Sequence, residues 1–144
     1  MKFTEIFSQE LLDRMVSEGF VRVQTHPVLS LRILNYSEQA QFRGVWNACT
    51  LACRGFIIDQ DDNVIARPFE KFFNMGDSHA ADIDWNAPVE VTDKKDGSMG
   101  ILYSIRPYNP DMPAYGHEYS FATRGSFASD QAIHATKLWL AKYK

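Results

Sequence analysis

Apolar positions change their period along the chain, and the changes mark its elements. From Ser8 to Glu18, Leu11, Leu12, Met15 and Val16 fall on one helical face, and Gly19 supplies a stop. Phe20-Val21-Arg22-Val23 and Leu31-Arg32-Ile33-Leu34 have strand patterning and flank a break at His26-Pro27. Gly55-Phe56-Ile57-Ile58, a polar turn at 59–63 and Val64-Ile65-Ala66 predict a hairpin that Pro68 ends. Two further β-rich runs, Val89–Thr92 and Met99–Ser104, surround a Lys-Asp-Gly-Ser turn. Residues 107–116, rich in proline, read as a loop, and Glu118–Thr123 as a strand. Asp130–Tyr143 has helical spacing, with Ile133, Thr136, Leu140 and Tyr143 on one side. The sum is an α+β chain, mainly antiparallel, with flanking helices and without repeats or a linker.

Composition narrows the class. The 144 residues are 45% hydrophobic and 13% aromatic, which favours a folded domain over disorder. A net charge of −3 gives no general basic field, so any bound phosphate must be met by a few locally gathered cations. Cys49 and Cys53 are too few for a disulfide framework or a zinc site and read as free thiols in a reducing compartment. The acidic N-terminus does not read as a signal peptide, and no apolar run has the length of a membrane span, so a cytoplasmic location is expected.

Chemistry concentrates in four blocks. Asp93-Lys94-Lys95-Asp96-Gly97-Ser98 alone reads as a hairpin turn, since Asp-Gly favours the positive φ of tight turns. It also fits a lysine nucleophile beside a glycine that admits a nucleotide against the backbone. A free lysine is almost wholly protonated at neutral pH, and a neighbouring cation such as Lys95 disfavours the ammonium form. Cys53-Arg54-Gly55, Glu70-Lys71-Phe72-Phe73-Asn74 and Thr123-Arg124-Gly125-Ser126 each put a cation beside a glycine or among aromatics. Taken singly, each is an ordinary surface charge or a lysine lying over core rings. Together they offer cations that can converge on a polyphosphate.

In this order and spacing the four blocks resemble the ATP-dependent RNA ligase of T-even bacteriophages and its tRNA-repair relatives, in the covalent nucleotidyltransferase superfamily. The resemblance runs from about Arg32 to about Ala135. It implies an ATP-grasp-like ligase adenylation domain, with antiparallel sheets around an ATP pocket and residues 1–144 as its N-terminal portion. It implies that Lys94 is the lysine that carries AMP. It places Tyr36, Arg54, Lys71, Phe73, Asp96, Gly97 and Arg124 around ATP, with Arg124 where the phage enzyme has lysine. ATP and magnesium are the implied cofactors, and RNA ends bearing a 5′-phosphate and a 3′-hydroxyl, tRNA included, the implied partners. For a phage protein the location would be the host cytoplasm.

The resemblance implies that the superfamily's later motifs, an acidic strand residue, a Glu-Gly and a Lys-x-Lys, follow downstream of these blocks, so a truncated domain is expected. A non-catalytic nucleotide- or RNA-binding module, an inactive fragment of such a ligase and a plain interaction domain stay open as alternatives. His26, His79, His117 and His134 are scattered and carry no expected chemistry. Asp59, Asp61 and Asp62 lack the spacing of a calcium loop. Trp46, Trp85 and Trp139 are expected in the core or on a partner face, with Trp46 close to the Arg54 block.

Overall fold

The computed structural model describes residues 1–105 and 119–143, so the loop expected at 107–116, His117 and the first residue of the Glu118–Thr123 strand lie outside the described residues. The chain opens with a short 3-10 turn, Phe3–Glu5, then α1, Gln9–Ser17, capped by Ser8 Oγ accepting from Leu11 N at 3.2 Å. β1, Val21–Thr25, and β2, Leu31–Tyr36, follow as an antiparallel pair. Two short helices, α2 (Glu38–Arg43) and α3 (Ala48–Ala52), separate β2 from its next partner. That partner is β3, Arg54–Asp59, which pairs with β4, Val64–Ala66. β5, Ile101–Ser104, pairs antiparallel with β6, Tyr119–Ala122, and α4, Asp130–Tyr143, closes the described fold.

The four-stranded sheet β1-β2-β3-β4 is covered on both faces, and strand alternation decides which side chain goes where. Leu34, Tyr36, Phe56 and Ile58 join Phe3, Phe7, Leu12, Met15 and the two cysteines on the helical side. Leu31, Ile33 and Ile57 instead meet Ile101, Tyr103, Ala122 and Phe127 on the side of the β5–β6 ribbon. Phe56, Ile57 and Ile58 are fully buried, and each such side chain stabilises the fold by roughly 1.5–3 kcal/mol.

Three expectations are revised. Val89–Thr92 forms no strand, its Val89 and Val91 side chains staying exposed with no face to bury against, and residues 67–100 run without helix or strand. The Lys94 turn therefore lies on a long exposed loop rather than at a hairpin. In α4 the inward residues are Ala132, Thr136 and Trp139 rather than Ile133, which is 45% exposed. Thr136 Oγ1 accepts from Phe121 N at 3.0 Å, and Trp139 packs edge-on to Phe121. Helices α2 and α3 were not anticipated. Ser37 and Asn47 cap them, with Ser37 Oγ accepting from Ala40 N and Asn47 Oδ1 from Cys49 N and Thr50 N. Among the described residues no helix is long and apolar enough to cross a membrane.

Candidate active site

Gly55 organises the local backbone. β2 and β3 pair Leu34 with Phe56 and Asn35 with Arg54, so Gly55 is the extra residue of a bulge, at φ +87°. A Cβ there would stand 2.2 Å from Ile101 Cδ1 and 3.2 Å from Arg124 Cα. Only glycine at position 55 lets the strand backbone approach that of Arg124 this closely, and that contact brings two of the four sequence blocks together.

From Arg124 the site continues as a chain of cations and rings. Arg124 Nη1 donates to the Tyr36 hydroxyl at 2.9 Å, and its Cζ lies 5.0 Å from that ring's centre. Tyr36 meets Trp46 edge-on at 5.2 Å, and Trp46 meets Phe73 edge-on at 5.4 Å. Lys71 Nζ sits 4.1 Å from the Phe73 ring and 5.6 Å from Trp46. A backbone bond from Lys71 N to Leu51 O, 2.9 Å, ties this loop to α3. Four of the expected residues, Tyr36, Lys71, Phe73 and Arg124, are thus joined through Trp46, which sequence reasoning had assigned to the core or a partner face.

Arg54 stands on the next strand position. Its Cζ lies 5.2 Å from the Phe72 ring and its Nη1 donates to Phe69 O at 3.3 Å. Among the described residues, its buried Nε and the buried Oδ1 of its cross-strand partner Asn35 have no hydrogen-bond partner. An unfilled donor and an unfilled acceptor on paired residues are what a polar ligand satisfies, because burying such groups unpaired is costly. Asn35 is a second residue the sequence did not single out.

Lys94, Asp96 and Gly97 stand apart from this cluster. All three are exposed on the 67–100 loop, and Lys94 makes no hydrogen bond or ion pair among the described residues. Lys95 turns to Asp93, 2.7 Å away with both side chains over four-fifths exposed, so its charge is directed at a carboxylate rather than at Lys94. Gly97 has φ +143°, a region that L side chains rarely adopt, and open space where its Cβ would be. That leaves its backbone approachable.

His79, given no role by sequence, stacks on Phe73 with ring centres 5.3 Å apart and lies 3.2 Å from Asp77 Oδ1. Hydrogen bonds from the His79 backbone and ring hold the Asp77 carboxyl below its ordinary range, with the charge of Lys71 adding to the effect. Cys49 and Cys53 are free and buried, 3.8 Å apart, beneath the Arg54 block. The contact with Cys49, then burial, pushes the Cys53 thiol well up, which suits packing rather than nucleophilic chemistry. His26 is structural too. Its Nδ1 accepts from Val28 N and Leu29 N, and its Nε2 reaches Tyr103 Oη at 3.1 Å.

The family model described as RNA ligase matches residues 52–142, well over half of the chain. The matched stretch holds Arg54, Lys71, Phe73, Lys94, Asp96, Gly97 and Arg124, whereas Tyr36 and Trp46 precede it.

Proposed function

The chain belongs to the T4 RNA ligase family, and from that premise we propose that it captures ATP on its cation-aromatic cluster and receives AMP on Lys94. The observation that carries the reading is the joining of Arg124, Tyr36, Lys71 and Phe73 through Trp46, beside the unpaired Arg54 Nε. Guanidinium and ammonium groups from separate elements suit a polyphosphate, whose charge grows on the leaving group during transfer. Phe73 and Trp46 give the same surface an apolar wall for the nucleoside.

Lys94 Nζ, once it has lost its ammonium proton, attacks the α-phosphorus of ATP. The N–P bond forms, the bond to the β-phosphate oxygen breaks, and pyrophosphate leaves. The 5′-phosphate oxygen of an RNA then attacks the AMP phosphorus and frees the lysine. A 3′-hydroxyl finally attacks the activated 5′-phosphate, closing the phosphodiester and releasing AMP. Arg54, Lys71 and Arg124 neutralise phosphate charge in the first step, and the open backbone at Gly97 admits the nucleotide. Because Lys94 lies on the exposed loop, ATP bridging the cations to that loop is what draws it inward. Among the described residues no three His, Cys, Asp or Glu side chains gather to hold a metal. Magnesium would supply further charge neutralisation at the phosphates, with Asp96 on the metal or ribose side.

Incubation with ATP labelled at the α-phosphate, then denaturing electrophoresis and mass spectrometry, tests the reading. Label is expected on Lys94 alone, abolished by Lys94→Ala and retained by Lys95→Ala. AMP on Lys95, or label taken up by Lys94→Ala, would overturn it. The separation of Lys94 from the cluster favours a second reading, a nucleotide- or RNA-binding module without transfer. That module would bind ATP and retain no covalent label.

A further inference from the structure

At the Trp46–Phe73 end of the cluster, a groove of about 570 Å³ opens between α2 and residues 71–79. Its volume falls within the roughly 300–1,000 Å³ usual for small-ligand sites. The groove shares Trp46, Lys71 and Phe73 with the ATP cluster; His79, stacked on Phe73, extends that wall, and Phe42 and Arg43, from the last turn of α2, form its rim. Phe42 is 92% exposed, more than any other large apolar side chain among the described residues. Arg43 has no hydrogen bond or ion pair among the described residues. Among the described residues the one carboxylate lining the groove, Asp77, is already engaged by His79.

We propose that this groove binds the end of a single-stranded RNA, with a nucleobase stacked on Phe42 and the adjoining phosphate held by Arg43. The proposal rests on the ligase reading for its substrate class and adds the surface that receives it. Exposed rings interleaved with unpaired cations are how single strands are bound, since every base has a π-face and every linkage a charge. A ring as open as Phe42 leaves a stacked base at the surface, where the rest of a strand continues outward. A mononucleotide such as ATP has no strand to continue outward, and its phosphates are met by the guanidinium at the Tyr36–Arg124 end. A protein partner would be expected to meet acidic as well as basic groups, and here the rim charge is a free arginine. The groove connects to the ATP-binding end through Trp46, so an RNA end seated on Phe42 lies next to the activated nucleotide.

Binding of a 5′-phosphorylated, 3′-fluorescein oligouridylate of about ten nucleotides to the whole chain tests this, beside Phe42→Ala and Arg43→Ala. Both substitutions lie on the surface, and thermal unfolding of each variant checks that the fold is unchanged. Phe42→Ala is expected to weaken RNA binding roughly 5- to 150-fold, the loss of one base stack, without altering the salt dependence. Arg43→Ala is expected to weaken binding and to lower the slope of log affinity against log salt by about 0.7, one phosphate contact on a single strand. Lysine adenylation by ATP should stay at the unaltered level in both. RNA binding absent from the unaltered chain, or unchanged in both variants, overturns the proposal. So does a matching loss of ATP capture in Phe42→Ala, which would place adenine on that ring. Groove-dependent RNA binding without covalent label would uphold the RNA surface while removing the transfer reading.

Discussion

Arg124 and Tyr36, 88 residues apart in sequence, meet through a 2.9 Å hydrogen bond from guanidinium to hydroxyl, with the same guanidinium over the tyrosine ring. The ring is buried while the arginine is exposed, so the tyrosine is a fixed acceptor that orients a mobile cation. Orientation matters here, because a planar guanidinium binds phosphate through paired N–H groups only when its plane is set.

Tyr36→Phe keeps the buried ring and removes that acceptor. The hydrogen bond is worth about 0.5–1.5 kcal/mol, so ATP affinity should fall roughly two- to tenfold, with a loss of folding stability no larger than that of the one bond. Arg124→Ala should weaken ATP more than this, and adding Tyr36→Phe to it should change nothing further. Equilibrium ATP titration of the three variants checks the order. Additive losses in the double variant would show that the two side chains act separately.

Gly55 and Gly97 both have positive φ and should nonetheless respond differently to alanine. At Gly55 the new methyl meets Ile101 and the Arg124 backbone inside the core, so strain and overpacking combine to about 2–4 kcal/mol of lost stability. At Gly97 nothing lies within 4 Å, and the loop can relax, so denaturant unfolding should be nearly unaffected. Adenylation should still fall in Gly97→Ala, since its methyl stands where the nucleotide approaches the backbone. Chemical denaturation beside label transfer separates the two effects. Equal loss of stability at both positions would contradict the environments described.

The sheet was legible because its signal is local. Val-Arg-Val, Leu-Arg-Ile-Leu and the apolar run Phe56–Ile58 set the strands, and the polar turn at 59–63 fixed the hairpin between β3 and β4. That turn closes on Asp59, whose carboxylate accepts from Asp61 N and Asn63 N. Burial acts to raise its pKa, and these bonds with the Lys2 charge outweigh it, lowering the value overall. Helices α2 and α3 were not legible, being five or six residues long, too short for an apolar period to show. Val89–Thr92 has strand composition, yet a strand also needs a face to bury, and Val89 and Val91 stay exposed. At the site, cations beside glycines were visible in sequence. Trp46, Asn35 and His79 were not, because each matters through contacts with residues distant in the chain: Tyr36 and Phe73 for Trp46, Arg54 for Asn35. For His79, the only signal was its place five residues after Asn74.

His26 predicts a pH dependence. Its Nδ1 accepts two backbone bonds in the loop between β1 and β2, so protonation there breaks both, and burial lowers its pKa in the fold. The unfolded chain, with an ordinary pKa near 6.5, therefore takes up the proton first. Stability from this group is complete above about pH 6.5 and is lost as pH falls from there towards the lower folded value. Urea midpoints between pH 7.5 and 5.5 should decline in the unaltered chain and decline less in His26→Gln. A midpoint rising towards pH 5.5 would give the opposite sign and refute the assignment.

Trp46 carries the last prediction, because it is the one side chain that touches both halves of the cluster. It stands edge-on to Tyr36 and to Phe73 and lies 5.6 Å from the Lys71 ammonium. Each aromatic contact of this kind is worth about 0.5–1.5 kcal/mol beyond burial, and the ammonium–ring contact about 0.5–1 kcal/mol. Trp46→Ala removes all three, so Lys71 loses its fixed position relative to Arg124 without losing its charge. ATP affinity should then fall by about tenfold or more, although no phosphate-binding group has been altered. Trp46→Phe, which keeps a ring between the two halves, should recover most of the loss. A cycle of Trp46→Ala with Lys71→Ala measures the connection directly: the double variant should bind ATP better than the product of the single losses predicts, by at least about threefold. Losses that simply multiply would mean that Trp46 fills space beside the cluster and does not position Lys71.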